Sequence, residues 1–304
     1  MTDYIANRQA DRPSLGILLM LGFCVLAPMG DALAKAVGDT IPLGQLLLVR
    51  FGVQAVLLIP LVVFTARSFA MSPRVIKLIA LRTVLHMLGI GAMFTALRFM
   101  PLADTVAIAF VMPFIMLLLG KYVLGEEVGP RRLIACTVGF VGTLLVIQPS
   151  FAEVGALALL PLFVAVVFSL FMLVTRQVAK DVDPIAMQAV SGVMACGLLA
   201  LLYLGFGGLA WGALQLVAPG PVDLWMLALI GILGTFAHLL MSWSLRYAPS
   251  ATLAPMQYLE IPVATLIGFL AFREFPNGLA QLGIAITIGA GLYIIWREQK
   301  TARG

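Results

Sequence analysis

The stretch LRFMPLA at residues 97–103 recurs as LRYAPSA at residues 245–251, an offset of 148 positions. Leucine, arginine, proline and alanine are identical in the two copies, and the aromatic position holds phenylalanine or tyrosine. The correspondence continues towards the C-terminus, with Pro113 matched one place late by Pro262, Gly120 by Gly268 and Glu126 by Glu274. Matches that stay in register across three apolar segments indicate an internal repeat, and therefore a chain built from two related halves.

Ten apolar stretches lie along the chain, each close to the roughly 20 residues with which an α-helix crosses a bilayer. Their approximate bounds are residues 14–36, 42–64, 75–97, 103–124, 131–147, 155–175, 184–206, 223–245, 250–272 and 278–296. Lipid offers no hydrogen bonds to a backbone, and strands of a membrane barrel are about half this length. The pattern predicts an all-α integral membrane protein with ten transmembrane helices.

Composition supports the same class. Of 304 residues, 62% are hydrophobic and 11% are charged, and the mean hydropathy is +1.07. Soluble domains carry about 25% charged residues, and a soluble helical bundle would need them on the outer faces of its helices. The outer faces of the predicted helices are apolar instead, which excludes the soluble alternative.

Lysine and arginine are divided unequally between the two sets of predicted loops. Fourteen fall on the side that carries both termini, whereas Lys35, Arg98 and Arg273 fall on the other side. Basic residues are concentrated in the cytoplasmic loops of membrane proteins. We therefore expect cytoplasmic tails at residues 1–13 and 297–304, in a multi-pass protein of the bacterial inner (plasma) membrane.

The two halves, residues 14–148 and 155–296, each contain five predicted helices. Because five is odd, the second half must run through the membrane in the direction opposite to the first. Glu126 and Glu274 then fall on opposite faces, at loop edges where each could cap the following helix. Inverted repeats are frequent in secondary transporters, whose substrate site lies near the midplane between the repeats.

Ionisable side chains inside predicted spans are costly and by default indicate function. Asp31 and Lys35 lie four residues apart on one face of the first span, where they could pair. Arg50 is predicted at a depth similar to that of Asp31, so an ion pair between these two is also expected. Such a group could grip a zwitterionic or anionic solute, or it could only pin the first two helices together.

Glu260 lies close to the predicted centre of the ninth span. Pro255 and Pro262 flank it and are expected to kink or open the helix, as is Pro113 at the corresponding place in the first half. A carboxyl group at that depth is a candidate for carrying a coupling proton or binding a substrate amine. The structural alternative is a carboxylic acid that forms a hydrogen bond with a neighbouring helix.

His86 and His238 are the two histidines of the chain, and both fall near the middle of corresponding spans. Histidine titrates near neutral pH, so either could relay protons or contact a solute, although a membrane histidine bonded to a carbonyl is the structural alternative. Further polar and aromatic residues are expected to line a cavity: Gln54, Phe94, Trp243, Gln257 and Tyr258.

The pattern of Pro113, Gly120, Gly125-Glu126, Gly139 and Gly142 resembles the repeated unit of EamA-type proteins in the drug/metabolite transporter superfamily. The second half carries the same pattern in Pro262, Gly268, Glu274, Gly283 and Gly289, with Arg273 where the first half has Gly125. The resemblance implies ten helices in two inverted halves around a central cavity, with alternating access and no nucleotide hydrolysis. It also implies a cargo such as an amino acid, a nucleotide-like metabolite, riboflavin or S-adenosylmethionine.

The leading hypothesis is a secondary-active exporter of an amino acid or related compound, driven by protons or by exchange. The alternative is an uptake carrier for riboflavin or S-adenosylmethionine, and a channel or receptor is a further class. A membrane-embedded lipid-modifying enzyme is more remote, because the sequence has no nucleophile elbow, P-loop or clustered catalytic motif. No catalytic residue, metal ligand set, cofactor or nucleic-acid partner is predicted. The expected partners are a small solute, the lipid bilayer and protons, for a monomer or homodimer.

Overall fold

The computed structural model describes residues 12–126, 128–206 and 212–301, and these form helices and turns without a β-strand. The helices are α1 (Pro13–Ala36), α2 (Leu43–Phe64), α3 (Pro73–Leu97), α4 (Leu102–Ala109), α5 (Met112–Val123), α6 (Pro130–Val154), α7 (Leu160–Val178), α8 (Pro184–Phe206), α9 (Pro221–Tyr247), α10 (Ser250–Leu253), α11 (Glu260–Phe272) and α12 (Gly278–Thr301). Short 3-10 segments lie at Gly155–Leu159, Gly212–Leu214 and Ala254–Leu259. The predicted all-α class is confirmed for this part of the chain.

Proline marks the start of many of these helices. The first residues of five long helices are Pro13, Pro73, Pro130, Pro184 and Pro221. The N–H groups of a first helical turn have no partner inside the helix, so proline loses no hydrogen bond there. At the start of α3 the Ser72 hydroxyl adds a side-chain cap by accepting a hydrogen bond from the backbone N–H of Val75. Helix starts therefore follow from local sequence chemistry.

Seven segments of the described residues are long and apolar enough to cross a membrane. They are Pro13–Ala36, Leu43–Phe64, Pro73–Leu97, Leu102–Val123, Leu133–Val178, Pro184–Phe206 and Pro221–Tyr247, and two shorter apolar helices are Met256–Phe272 and Gly278–Tyr293. Large apolar side chains such as Leu18, Val56 and Phe64 remain exposed along them. An apolar surface of this extent indicates contact with lipid. The fold is that of a multi-pass membrane protein.

Two of the predicted spans are interrupted near their middle. α4 ends at Ala109 and α5 begins at Met112, with Pro113 as the second residue of α5. In the second half, the 3-10 segment Ala254–Leu259 contains Pro255 and separates α10 from α11, of which Pro262 is the third residue. Because proline removes an N–H from the helical hydrogen-bond ladder, the regular helix stops at these places. Glu260 thereby becomes the first residue of a new helix deep in the bundle.

The ends of two helices differ from the sequence-based expectation. Gln148-Pro149 predicts a turn, but that prediction is wrong, because α6 continues to Val154. α6 stops only at Gly155, whose φ of 62° is a conformation that glycine adopts without steric cost. α12 continues to Thr301, so residues 297–301 of the expected C-terminal tail are helical. Residues 1–11 and 302–304 of the expected tails lie outside the described part of the chain.

The main helix pairs each join a helix of the first half to one of the second half: α1 with α9, α2 with α8, α3 with α7, and α6 with α12. Small residues lie where these helices cross. A Cβ atom on Gly142 of α6 would lie 2.6 Å from the carbonyl oxygen of Gly283 on α12, and one on Gly16 of α1 would lie 2.6 Å from Cβ of Ala248. Glycine at such crossings lets helix backbones approach closely, which holds the two halves together around their centre.

Candidate functional site

A cavity of about 90 Å³ lies in the centre of the bundle, between α1, α2, α3, α7, α9 and α11 and the junction of α4 with α5. The polar side chains in its lining are Asp31, Arg50, His238 and Glu260. A concave, mainly apolar space with a few converging polar groups is the usual form of a small-molecule site.

Aromatic rings form much of the apolar wall of this cavity. They are Phe23, Phe94, Phe110 and Phe168. The rings of Phe23 and Phe168 are stacked with their centroids 6.3 Å apart, and Phe23 meets His238 edge-on at 5.8 Å. Flat aromatic faces favour the stacking of another flat ring. The wall is therefore suited to a solute that contains a heteroaromatic ring.

Arg50 carries the guanidinium group of the site from its place on α2, and only 1% of the residue is exposed. One terminal nitrogen donates a 3.0 Å hydrogen bond to Oε1 of Gln54, and the other lies 3.1 Å from Nδ1 of His238. The guanidinium group passes over Gly234 of α9, where any Cβ atom would collide with it. The absence of a side chain at Gly234 is thus what admits Arg50 to the centre of the bundle.

The two histidines lie in direct contact, on α3 and α9. The ring centroids of His86 and His238 are 4.2 Å apart, and the ring of Phe171 stacks on His86 at 4.5 Å. Within the described residues, both ring nitrogens of His86 and Nε2 of His238 lack a hydrogen-bond partner. Imidazole can exchange protons near neutral pH. The pair therefore offers free nitrogen atoms beside the cavity, and His238 reaches the cavity itself.

Glu260 lines the cavity as the first residue of α11, with 7% of its surface exposed. The backbone N–H of Glu260 is directed at the carbonyl oxygens of Gln257 and Tyr258, so the 3-10 segment runs directly into α11. The sequence-based expectation of a deeply buried acid beside prolines matches this arrangement.

Asp31 also lines the cavity. The ion pair expected with Lys35 is wrong, whereas Arg50 interacts with Asp31 electrostatically without a direct ion pair. Lys35 extends towards the end of the bundle, where Nζ lies 3.0 Å from Oε1 of Glu274 and donates to two backbone carbonyl groups near the end of α3. Arg50 turns towards His238 and an amide on its own helix. In the part of the chain that is described, the ion pairs within 4.0 Å do not include Asp31. Its carboxylate therefore remains available to the cavity.

Arg82 is a buried charge that was not among the site residues expected from the sequence. Nε donates to Oγ1 of Thr175 at 2.8 Å, and a terminal nitrogen donates to Oγ of Ser191 at 2.9 Å. The guanidinium carbon lies 4.5 Å from the ring centre of Phe171, which is a cation–π contact. These contacts join α3 to α7 and α8. A charged residue inside an apolar stretch was the sequence signal that could have identified it.

Gln54 lies behind the cavity and supports Arg50. Its Oε1 accepts from Arg50, and its Nε2 donates to the carbonyl oxygen of Gln188 at 2.7 Å. The side chain is fully buried on α2 and contacts α8 through this bond. Of the remaining aromatic and amide candidates, Phe94 faces the cavity as predicted from the sequence.

Three other residues expected in the lining point elsewhere. Nε2 of Gln257 lies 3.2 Å from the sulfur of Met172, and the ring of Tyr258 packs 5.7 Å from that of Phe110. The 3-10 segment that contains both residues has three residues per turn, which rotates their side chains away from the direction that an α-helix would give. Trp243 packs against the α2–α8 side of the bundle. Trp243 follows His238 by five residues, so its side chain points about 140° around the helix from the side chain of His238.

Comparison with known proteins agrees with this fold. The family model of the EamA-like transporter family matches residues 14–148 and again residues 155–297. The chain is 31% identical over 222 residues to a riboflavin transporter of Rhizobium johnstonii, and the alignment covers 73% of this chain and 71% of that protein. It is 22% identical over 286 residues to an S-adenosylmethionine uptake transporter of Rickettsia prowazekii, with 94% of each chain covered.

A solved crystal structure superposes on 92% of this chain with a TM-score of 0.66, at 18% sequence identity and with 94% of that chain covered. At this identity the likeness concerns the fold alone. The family match, by contrast, extends over most of the sequence, and relatives in the drug/metabolite transporter superfamily are transporters. The chain therefore belongs to the EamA-like transporter family and is a membrane transporter of small molecules.

Proposed function

We propose that this protein takes up a heteroaromatic, vitamin-like metabolite, with riboflavin as the first candidate. The observation that carries the proposal is the central cavity, in which four phenylalanine rings surround Asp31, Arg50, His238 and Glu260. A fused heteroaromatic ring stacks on aromatic side chains, and its nitrogen and carbonyl groups need buried hydrogen-bond partners. The riboflavin transporter of Rhizobium johnstonii, 31% identical to this chain, supports the same choice.

S-adenosylmethionine is the second candidate, and the charges of the cavity favour it. Two carboxyl groups, those of Asp31 and Glu260, face one guanidinium group, that of Arg50. A solute with a sulfonium, an ammonium and a carboxylate group would complement this set of charges. The uptake transporter of Rickettsia prowazekii supports this alternative, although at 22% identity. Amino-acid export, the leading expectation from the sequence, would use the same charged groups and is the third candidate.

We propose ten membrane crossings in two inverted repeats, residues 14–148 and 155–296. α4 begins at Leu102 and α10 at Ser250, which keeps the 148-residue offset of the sequence repeat. The helix pairs also support a two-fold relation. In the repeat, α1 corresponds to α7, α2 to α8, α3 to α9 and α6 to α12. A two-fold axis between the halves would therefore relate the pair α1–α9 to the pair α3–α7, and it would pass through the pairs α2–α8 and α6–α12, as observed. Transporters built in this way bind solute between the repeats.

We further propose that both termini are cytoplasmic and that the membrane is the bacterial inner membrane. The unequal distribution of lysine and arginine between the two sets of loops supports this orientation. The proposed assembly is a monomer or a homodimer. Protons are the proposed coupling ion, with Glu260 and the His86–His238 pair as the groups that exchange them.

Counterflow in proteoliposomes tests the proposed cargo. Purified protein is reconstituted into vesicles loaded with unlabelled riboflavin, and the entry of radiolabelled riboflavin is followed. Parallel experiments use S-adenosylmethionine and a mixture of amino acids. We expect labelled riboflavin to accumulate transiently in vesicles that contain the protein. Excess unlabelled riboflavin outside the vesicles should block this accumulation, whereas amino acids should not. Counterflow of amino acids alone would overturn the proposal in favour of the export function.

The matched control is Arg67→Gln. Arg67 forms an exposed ion pair with Asp183, and neither residue is part of the cavity lining. Exposed ion pairs contribute little to stability, so the variant should transport riboflavin at the wild-type rate. A loss of counterflow in Arg67→Gln as large as that in a cavity variant would show that the assay reports folding rather than the cavity.

A further inference from the structure

Glu274 connects the two halves of the chain at one end of the bundle. Its Oε1 forms the ion pair with Lys35 of α1, and its Oε2 accepts a 3.1 Å hydrogen bond from the backbone N–H of Leu102, the first residue of α4. Lys35 also donates to the carbonyl oxygens of Leu97 and Met100. Glu274 therefore caps a helix of the first half, and the expectation that it caps the helix that follows it is wrong.

Glu126 makes the corresponding contacts elsewhere in the molecule. Its carboxylate accepts hydrogen bonds from the backbone N–H of Ser250, the first residue of α10, at 3.2 Å and from the Ser250 hydroxyl at 2.6 Å. It also pairs with Arg176 of α7, whose Nε lies 3.4 Å from Oε1. Arg176 donates in turn to the carbonyl oxygen of Leu245. A first-half glutamate thus caps a second-half helix.

The two clusters match at the repeat offset of 148 in their glutamates, capped N–H groups and leucine carbonyl oxygens, whereas Lys35 of α1 and Arg176 of α7 lie on corresponding helices but not at that offset. The carbonyl oxygens used are those of Leu97 and Leu245, and the capped N–H groups are those of Leu102 and Ser250. The backbone just before each glutamate is also alike. Gly125 has a φ of 66° and Arg273 a φ of 58°, so both chains turn through the left-handed region. This turn directs each glutamate back across the bundle.

Glycine makes room for the contact of Glu126, whereas a Cβ atom at the matching Gly268 would make only ordinary van der Waals contacts. A Cβ atom on Gly120 would lie 2.9 Å from Oε2 of Glu126, and one on Gly268 would lie 3.7 Å from Cβ of Leu102. The backbone N–H of each glutamate donates to the carbonyl oxygen of the matching glycine, at 2.9 Å in the first half and 3.2 Å in the second. The same local structure has therefore been built twice, although Arg273 replaces the glycine that this turn would favour.

The two clusters lie at opposite ends of α1. Near the start of α1, the carbonyl oxygen of Gly16 accepts a hydrogen bond from the Ser244 hydroxyl of α9, close to the Glu126 cluster. Lys35, near the end of α1, belongs to the Glu274 cluster. Nineteen residues of α-helix separate Gly16 from Lys35, or about 28 Å. The cavity residue Asp31 and its neighbours lie between the two clusters.

We propose that Glu126 and Glu274 are the paired gate residues of the transport cycle. Each one holds the two halves together at one face of the membrane, so that release of one cluster opens the cavity to one side only. In this structure both clusters are formed. The proposal rests on the proposed function, since it requires a central cavity that opens alternately to the two sides.

Sided labelling of the cavity tests the gates without any solute. Cys24, Cys136 and Cys196 are replaced by alanine, and the cavity residue Ala27 is replaced by cysteine. A membrane-impermeant maleimide is then added to right-side-out or inside-out vesicles. We expect Glu126→Gln to raise the labelling rate from one face and lower it from the other, and Glu274→Gln to do the opposite. The ratio of the two rates should change by roughly tenfold, as loss of a helix cap and a partly buried ion pair implies.

A second pair of variants keeps the test decisive if the glutamine variants fold poorly. Arg176→Met and Lys35→Met remove the ion pairs and leave the helix caps, so each should shift labelling in the same direction as its glutamate partner, by a smaller factor. Thr137→Val, which changes an exposed side chain bonded to its own helix, is the control and should leave the ratio unchanged. The proposal would be overturned if labelling shifted towards the same face in both glutamine variants, or if folded variants showed no shift in labelling. Because no solute is used, a wrong cargo would leave these results intact.

Discussion

Nδ1 of His238 lies 3.1 Å from a guanidinium nitrogen of Arg50 and 2.9 Å from the carbonyl oxygen of Gly234. A guanidinium group can only donate, and a carbonyl oxygen can only accept. The bond to Arg50 therefore needs an unprotonated Nδ1, whereas the bond to Gly234 needs a protonated one. For a neutral ring the two bonds exclude each other. The position of the proton on His238 is thus coupled to the position of the Arg50 side chain at the cavity.

Gly234→Ala should disable the site through Arg50. A Cβ atom at residue 234 would overlap the guanidinium group, which must then leave Gln54 and His238. Overpacking of this kind costs about 1–3 kcal/mol, and we expect riboflavin counterflow to fall by at least about tenfold. The initial rate of counterflow measures the effect. Gly52→Ala is the matched control, because a Cβ atom there has open space around it. Equal rates in the two variants would contradict the assigned role of Gly234.

Arg50→Lys should behave as a loss of function despite the conserved charge. Arg50 contacts Gln54 and His238 with two different nitrogens, and the single ammonium group of lysine cannot reproduce that fork. We expect counterflow to fall by roughly tenfold, the equivalent of one charge-assisted hydrogen bond. The melting temperature in detergent is measured alongside it. Retention of the wild-type rate in Arg50→Lys would show that only the charge matters.

Glu260→Gln separates coupling from binding. If Glu260 carries the coupling proton, the variant should lose riboflavin accumulation driven by an imposed pH gradient, because an amide cannot exchange a proton. Counterflow needs no net proton movement and should persist. Glu153→Gln, which changes an exposed glutamate of α6, is the control and should accumulate riboflavin normally. Accumulation in Glu260→Gln that still follows the pH gradient would refute the coupling role.

Thr175→Val should destabilise the fold through Arg82. The variant keeps the shape of the side chain but removes the 2.8 Å hydrogen bond to Nε of the buried guanidinium group. Removal of a partner from a buried charged group costs about 2–3 kcal/mol, which should lower the melting temperature by several degrees. The hydroxyl of Thr175 also donates to the backbone carbonyl group four residues earlier in its helix, and so does the hydroxyl of the exposed Thr137. Thr137→Val therefore measures the loss of that local bond alone. Equal melting temperatures would contradict the structural role of Arg82.

The class of the fold and the places of its helices could be predicted from the sequence, because hydropathy and first-turn prolines act locally. The course of α6 beyond Pro149 could not, since a proline inside a helix is decided by the surrounding packing rather than by the residue itself. The inward position of Glu260 was predictable from its depth. The 3-10 geometry before it, which directs Gln257 and Tyr258 elsewhere, was not.

The pairing of charges was the least predictable part of the site. Helical spacing suggested Asp31 as the ion-pair partner of Lys35. Lys35 instead pairs with Glu274, which lies more than two hundred positions further along the chain. Arg50 likewise binds the histidine of α9 rather than an acid on the neighbouring helix. Such contacts depend on how the two halves pack. The repeat offset contained a hint, because Glu126 and Glu274 match each other and each contacts the half to which it does not belong.

Equilibrium binding of riboflavin to the purified protein tests most directly whether the central cavity is the solute site. Phe94 lines the cavity, whereas Phe99, just beyond the same helix, is 52% exposed. Loss of one aromatic stacking contact is worth about 0.5–1.5 kcal/mol, so Phe94→Ala should raise the Kd for riboflavin by roughly three- to tenfold. Phe99→Ala should leave it unchanged. An unaltered Kd in a folded Phe94→Ala protein, or equal weakening in both variants, would contradict the assignment of the cavity.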